Sequence, residues 1–183
     1  MQMNKLMARL PDRRSIIGVY ATASFLVYGW TMLASFWKVP SWLFYLKIGE
    51  ILSIYAYSFV IDFAESVLLL FTAVLIGLVL PNRWWNSQFA SKSAVWIIVV
   101  MGSIMLRLYT NRAPDNWEGF VYNQWSWWGS TLLLGIVLSF IFSHVTWLHA
   151  GLDAIADRLV VFLYIYLPLT VISILVVCVR IVF

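Results

Sequence analysis

Charged side chains are scarce in this sequence. Of its 183 residues, 12 are lysine or arginine and 8 are aspartate or glutamate, so 11% are charged. A typical soluble domain has about a quarter of its residues charged. The mean hydropathy is +0.88, and 63% of the residues are hydrophobic. Because water cannot solvate a surface so poor in charge, the composition predicts an integral membrane protein.

Cysteine and the common catalytic motifs are also nearly or wholly missing. The single cysteine, Cys178, excludes an internal disulfide framework and thiol-pair redox chemistry within the chain. The sequence has no Walker loop, G-x-S-x-G, H-E-x-x-H or glycine-rich nucleotide turn. The net charge of +4 is modest and forms no basic stripe, so nucleic acid is not an expected partner. Enzyme activity is therefore less expected than a structural or transport role.

Long apolar runs dominate what is present. About 20 apolar residues in a helix, each rising 1.5 Å, cross the roughly 30 Å hydrocarbon core. We predict an all-α, polytopic transmembrane helix bundle that forms one domain over residues 1–183. About five spans are expected, with four as the alternative, at residues 15–37, 59–80, 94–109, 131–148 and 160–182. Residues 38–58, which contain Pro40 and Trp42, predict an interfacial stretch with a short amphipathic helix.

The distribution of basic residues predicts the orientation. Lys5, Arg9, Arg13 and Arg14 all precede the first span. Basic residues concentrate on the cytoplasmic side of membrane proteins, and the first span usually dominates the choice. We therefore expect a cytoplasmic N-terminus, in what we interpret as a bacterial inner (plasma) membrane.

Two acids lie three residues apart in the apolar stretch SFVIDFAESVLLLF. Asp62 and Glu65 share a helix face at that spacing, and charge within a bilayer costs a few kcal/mol per group. Arg107, near the end of the next span, is expected at similar depth on an adjacent antiparallel helix. The hypothesis is an interhelical ion pair between Arg107 and Asp62 or Glu65. The alternatives are a polar rim at the start of the helix and a proton or ion pathway.

A second set of polar residues follows the fourth predicted span. His149, Asp153 and Asp157 recur every four residues, so they would line one stripe if that helix continued past Leu148. Imidazole and carboxylate groups on one face could bind a divalent metal. The spacing resembles half of the acidic motif of the CDP-alcohol phosphotransferases; the D-x-x-D-G-x-x-A-R half is absent. The simpler interpretation is a solvated amphipathic linker.

The other histidine, His144, lies inside the predicted fourth span. An intramembrane histidine is a functional pointer, and interhelical hydrogen bonding is its expected role. Axial ligation of a pigment or haem is the alternative. His149, the only other histidine, is five residues away on another face, so a bis-histidine haem within the chain is disfavoured. No cofactor is predicted for the chain itself; a pigment, haem or metal shared with a partner stays an alternative.

Ten of the eleven tryptophans lie near the predicted membrane interfaces, as in an aromatic belt, and Trp30 falls within a span. Those assigned to the outer interface are Trp37, Trp42, Trp117, Trp125, Trp127 and Trp128. Those assigned to the inner interface are Trp84, Trp85, Trp96 and Trp147. The outer cluster at Trp117, Trp125, Trp127 and Trp128 could instead form a docking surface, because clustered tryptophan also anchors protein interfaces.

The sequence thus favours an accessory or scaffolding subunit of a larger membrane complex. Its expected partners are the lipid bilayer and other membrane protein subunits. One alternative is a small transporter or channel component that uses Asp62, Glu65 and Arg107. The other is a membrane enzyme acting on lipid-linked substrates near His149 and the following aspartates.

Overall fold

A computed structural model of the chain describes residues 11–81, 85, 88–110 and 117–182, with the backbone alone at 117–124, 143, 146–150 and 182. Within these ranges the chain forms helices and no strands. The helices are α1 (Arg13–Phe36), α2 (Val39–Tyr45), α3 (Ile48–Val79), α4 (Phe89–Thr110), α5 (Trp117–Ser143) and α6 (Thr146–Val182).

Five of these helices are long and apolar enough to cross a membrane: α1, α3, α4, α5 and α6. The prediction of an all-α transmembrane bundle is confirmed. The chain is an integral membrane protein whose apolar exterior contacts lipid. The seven-residue α2 is too short to span and connects α1 to α3.

The contacts between α1 and α6 show that these two helices run parallel. Arg14, in the first turn of α1, forms an ion pair with Asp157, about three turns into α6. Further along both, the ring of Phe25 packs 5.0 Å from that of Phe162, between centroids. Five alternating passes make the first and last helices parallel, whereas four would make them antiparallel. The direction of α6 therefore supports five passes.

Helix α3 begins earlier than the sequence analysis expected. The predicted span began at residue 59, but α3 begins at Ile48 and takes in the second half of the predicted interfacial stretch. The backbone N–H of Lys47 donates to the Glu50 carboxylate at 2.7 Å, which satisfies a free donor at the helix start. Lys47 and Glu50, which belong to the predicted interfacial stretch, therefore lie at the start of a spanning helix. Asp62 consequently lies in the middle of α3, not in its first turns.

The boundary between α5 and α6 also differs from the expected one. The predicted fourth span reached residue 148, and a linker was expected before residue 160. Instead α5 ends at Ser143, and α6 begins at Thr146 and continues through Pro168 to Val182. Hydropathy locates the apolar part of α6, but the polar residues before it keep a helical period and extend the same helix.

Helix α1 is at the centre of the bundle and packs extensively against α3, α4 and α6. Its buried face carries small and β-branched residues, among them Val19, Ala23 and Val27. A Cβ added at Gly18 would lie 3.5 Å from the Cβ of Ala156, so α1 and α6 approach closely there. Small residues allow such close approach between membrane helices.

Two tryptophans assigned to the inner interface belong to the core instead. Trp85 and Trp96 are fully buried and pack in a cluster with residues of α1, α3 and α4. An indole is large enough to fill the space between helices, so its position in the sequence does not distinguish belt from core. Trp84 and the side chain of Trp147 lie outside the described residues.

Candidate functional site

Asp62 is a buried carboxyl group near the middle of α3. It lies about four turns from the start of the helix, and only 3% of its surface is exposed. The hydroxyl of Thr31 on α1 donates to its Oδ1 at 2.7 Å. Its Oδ2 is buried and has no hydrogen-bond partner among the described residues. Asp62 is therefore half satisfied, in a setting where polar groups are costly to bury.

A second polar contact lies one helical turn away. Tyr28, three residues before Thr31, points its hydroxyl at the carbonyl of Phe59, 3.2 Å away on α3. The same hydroxyl is hydrogen-bonded to Thr170 of α6, whose own hydroxyl donates to the Tyr166 carbonyl. Tyr28 is buried and its ring stacks on that of Tyr166, 4.6 Å between centroids.

These contacts define one cluster, the polar junction, formed by Tyr28, Thr31, Phe59, Asp62 and Thr170. It joins α1, α3 and α6, and each helix contributes at least one hydrogen-bonding group. Hydrogen bonds between helices stabilise membrane bundles by about 0.6 kcal/mol on average. The junction therefore fastens three helices, and it leaves one carboxylate oxygen unsatisfied.

The predicted pair between Arg107 and the acids is not formed. Among the described residues, neither Asp62 nor Glu65 makes an ion pair with Arg107, whose guanidinium lies 4.8 Å from the ring centroid of Trp127 on α5. Glu65 is exposed, although it is only three residues from Asp62. The reason is helix order: α1 packs extensively against both α3 and α4, which touch each other little. Helices α3 and α4 are therefore not close neighbours, although they are consecutive spans in the chain.

The residues of the predicted metal-binding stripe belong to α6 and not to a continuation of α5. Asp153 and Asp157 lie in the first turns of α6, and the side chain of His149 is outside the described set. The carboxylate of Asp157 binds Arg14 of α1, with Nη2–Oδ2 at 2.5 Å and Nε–Oδ1 at 3.4 Å. The described side chains include no group of three or more histidine, cysteine or acidic residues that could hold a metal. Arg14 was interpreted only as an orientation signal, but it also joins α1 to α6.

His144 lies in the turn after α5 and not inside a span. Its Nδ1 is 2.8 Å from the carbonyl of Phe140, which requires the proton on Nδ1, and the residue is exposed. The imidazole therefore caps a carbonyl at the end of its own helix. The interhelical hydrogen bond expected from the sequence is replaced by this local one because α5 ends at Ser143.

The outer tryptophan cluster is divided between two environments. Trp125 is 81% exposed and Trp128 is also exposed. Trp127 instead turns toward α4, where its Nε1 donates to the hydroxyl of Ser103 at 2.8 Å. The side chain of Trp117 lies outside the described residues. Two of the four predicted surface residues thus face outward.

Helix α5 packs against α4 through a feature that the sequence analysis missed. Thr131, Gly135 and Ser139 recur every four residues and form a small-residue stripe. Thr131 hydrogen-bonds to Ser103 of α4 at 3.0 Å, and Ser139 donates to the carbonyl of Lys92 at 2.9 Å. Small residues at this spacing are the sequence signal of a close helix contact in membranes.

Comparison of the chain with protein-family models, with curated proteins and with solved structures finds no match to it. The candidate site is therefore identified by its physical character. Asp62 is a carboxyl group buried deep in a spanning helix, and such groups often carry function.

Removing the hydroxyl of Tyr28 is expected to loosen the polar junction. Tyr28→Phe keeps the ring stacking but deprives the Phe59 carbonyl and Thr170 of their shared partner. We expect the free energy of unfolding to fall by about 0.5–1.5 kcal/mol. The measurement is unfolding in mixed micelles by titration with a denaturing detergent. Tyr164→Phe, at a 79% exposed site on α6, is the control and should change little. Equal effects of the two variants would contradict the role of the hydroxyl.

Proposed function

We propose that the chain is an accessory or scaffolding subunit of a larger membrane complex, with its N-terminus in the cytoplasm. The observation that carries this proposal is the packing of α5, which contacts the rest of the bundle mainly on one side. That helix packs mainly against α4, and 17% of the residues in its apolar window are buried, against 56% for α4. Most of its apolar surface is available to a helix of another subunit.

The use of the polar groups supports a packing role. The polar junction fastens α1, α3 and α6, and the small-residue stripe fastens α5 to α4. Interhelical hydrogen bonds of this kind hold bundles together. Their positions agree with a protein whose work is to present a fixed surface.

The end of α5 that carries Trp125 and Trp128 is the proposed contact. Both residues are exposed, whereas the small-residue stripe occupies the face toward α4. Tryptophan is enriched among the residues that dominate interface energies, because it buries a large surface at low entropic cost. The fitting partner is an apolar transmembrane helix of another subunit, whose side chains would pack around the two indoles.

Site-specific photocrosslinking in native membranes tests this contact. With a photoreactive amino acid at position 125 or 128, we expect an adduct of one fixed protein mass in each case. Leu52 is the matched control, because it is 62% exposed near the start of α3, at the same end of the bundle. We expect only lipid adducts from position 52. Lipid adducts alone from all three positions would overturn the proposal.

A small transporter or channel component is the second candidate, and one observation favours it. Asp62 is buried within a span and keeps an unsatisfied oxygen, which a purely structural hydrogen bond does not require. Intramembrane acids commonly mark ion or proton routes. An acid–arginine route through Arg107 has no support, since Arg107 stacks on Trp127. The lipid-linked enzyme gains no assembled set of ligands from the described side chains.

A further inference from the structure

The carboxyl group of Asp62 is closed off from every side. Its residue is 3% exposed and its Oδ2 is buried, so neither lipid headgroups nor a side chain of another subunit can reach that atom in this conformation. An ionised carboxylate without a partner at this depth costs several kcal/mol. Something small must therefore neutralise it.

The groups around Asp62 do not supply a positive charge. The titratable group of α1 in the polar junction is Tyr28, and that of α6 is Tyr166, which stacks on Tyr28; both are phenols that are neutral at ordinary pH. On α3 itself the nearest is Glu65, which is exposed and negative. No lysine, arginine or histidine pairs with Asp62 in the described part of the chain.

A metal cation is a poor fit to the same surroundings. Among the described residues, the Thr31 hydroxyl is the one hydrogen-bonding partner of the Asp62 carboxyl. The Tyr28 hydroxyl already contacts the Phe59 carbonyl and Thr170. Cations that bind to oxygen need several such atoms turned inward. A proton needs only the one free oxygen that Asp62 has.

We propose that Asp62 is a proton-binding site inside the membrane. The carboxyl is neutral when α1, α3 and α6 are packed, with Oδ1 accepting from Thr31 and Oδ2 carrying the proton. Proton binding forms one O–H bond and removes one negative charge, and nothing is oxidised or reduced. Release requires the contact between α1 and α3 to open, so that water or a cation can stabilise the carboxylate. Occupancy by a proton is thereby coupled to the packing of three helices.

This site does not depend on the role of the chain as a subunit. Protonation of Asp62 would suit a transporter component directly, and in a subunit it would make the packing sensitive to protons. Its failure would leave the crosslinking test of α5 unaffected, and the reverse also holds. The two proposals can therefore fail separately.

Infrared difference spectroscopy of the full chain in lipid bilayers tests the proposal. A protonated carboxylic acid gives a carbonyl stretching band that a carboxylate lacks. At neutral pH we expect this band in the native chain, its shift in heavy water, and its loss in Asp62→Asn. Glu65→Gln is the matched control on the same helix and should keep the band.

Further readouts make each outcome decisive. Thr31→Val should keep the band but shift its frequency, because the hydrogen bond to Oδ1 is removed; this variant also serves if Asp62→Asn fails to fold. The absence of a band that depends on Asp62 at neutral pH would overturn the proposal. Loss of the band when sodium or potassium is added at constant pH would overturn it too, since the site would then bind a cation.

Discussion

Replacing Gly135 with leucine is expected to separate α5 from α4. Of the substitutions proposed, it should lower the free energy of unfolding most. A Cβ at this position would lie 2.9 Å from Cδ1 of Trp96 and 3.4 Å from its Nε1. Carbon atoms do not approach to 2.9 Å without displacement of one of them. Even alanine is therefore too large here.

The indole of Trp96 has little room to move away. It is 1% exposed and packs in the cluster that joins α1, α3 and α4. Adding methylene groups to a well-packed core costs about 1–3 kcal/mol and occasionally more. We expect Gly135→Ala to lie at the low end of that range and Gly135→Leu at or above its upper end. Detergent-induced unfolding, followed by tryptophan fluorescence, measures both.

Gly129 provides the matched control on the same helix. A Cβ at Gly129 meets no described atom within 4 Å, so Gly129→Leu should leave the free energy of unfolding almost unchanged or raise it slightly. Similar losses for the variants at 129 and 135 would mean that leucine in α5, and not the contact with Trp96, is responsible. That result would contradict the close seat of α5 on α4.

The number of helices followed from hydropathy, but their ends did not. Apolar runs must be long enough to cross hydrocarbon, which fixes how many there are. The beginning of α3 depends on the hydrogen bond from Lys47 to Glu50, and the beginning of α6 on polar residues that keep a helical period. Both signals are polar, so a search for apolar residues places these ends too far into the chain.

The sequence predicted only part of the candidate site, namely its acidic residues. Intramembrane acids are rare enough that the sequence alone singled out Asp62 and Glu65. Which of the two is buried depends on the packing of α1 against α3. The three-residue spacing of the two acids does not predict which helices pack together. Thr31 and Tyr28 gave no signal of their own, because hydroxyl groups are common in membrane helices. Their role emerges only where three helices meet.

Removing the Thr31 hydroxyl is expected to destabilise the chain in a way that depends on Asp62. Thr31→Val is close in volume and removes the single described hydrogen bond to the Asp62 carboxyl. The loss of one partner of a buried polar group costs about 1–3 kcal/mol, because the other keeps its desolvation penalty. We expect a loss in that range, measured by detergent-induced unfolding. Thr72→Val is the control, since the described hydrogen bond of that hydroxyl is to its own helix, at the Leu68 carbonyl.

The dependence on Asp62 is tested by repeating Thr31→Val in a chain that carries Asp62→Leu. With the carboxyl gone, the valine leaves no buried acceptor unsatisfied, and replacing both partners by apolar groups is nearly neutral. We therefore expect the cost of Thr31→Val to fall to about zero in that background, a coupling of 1 kcal/mol or more. Equal costs in the two backgrounds would mean that the hydroxyl and the carboxyl do not act together. The polar junction would then be a set of separate contacts, and an opening between α1 and α3 would not be linked to the state of Asp62.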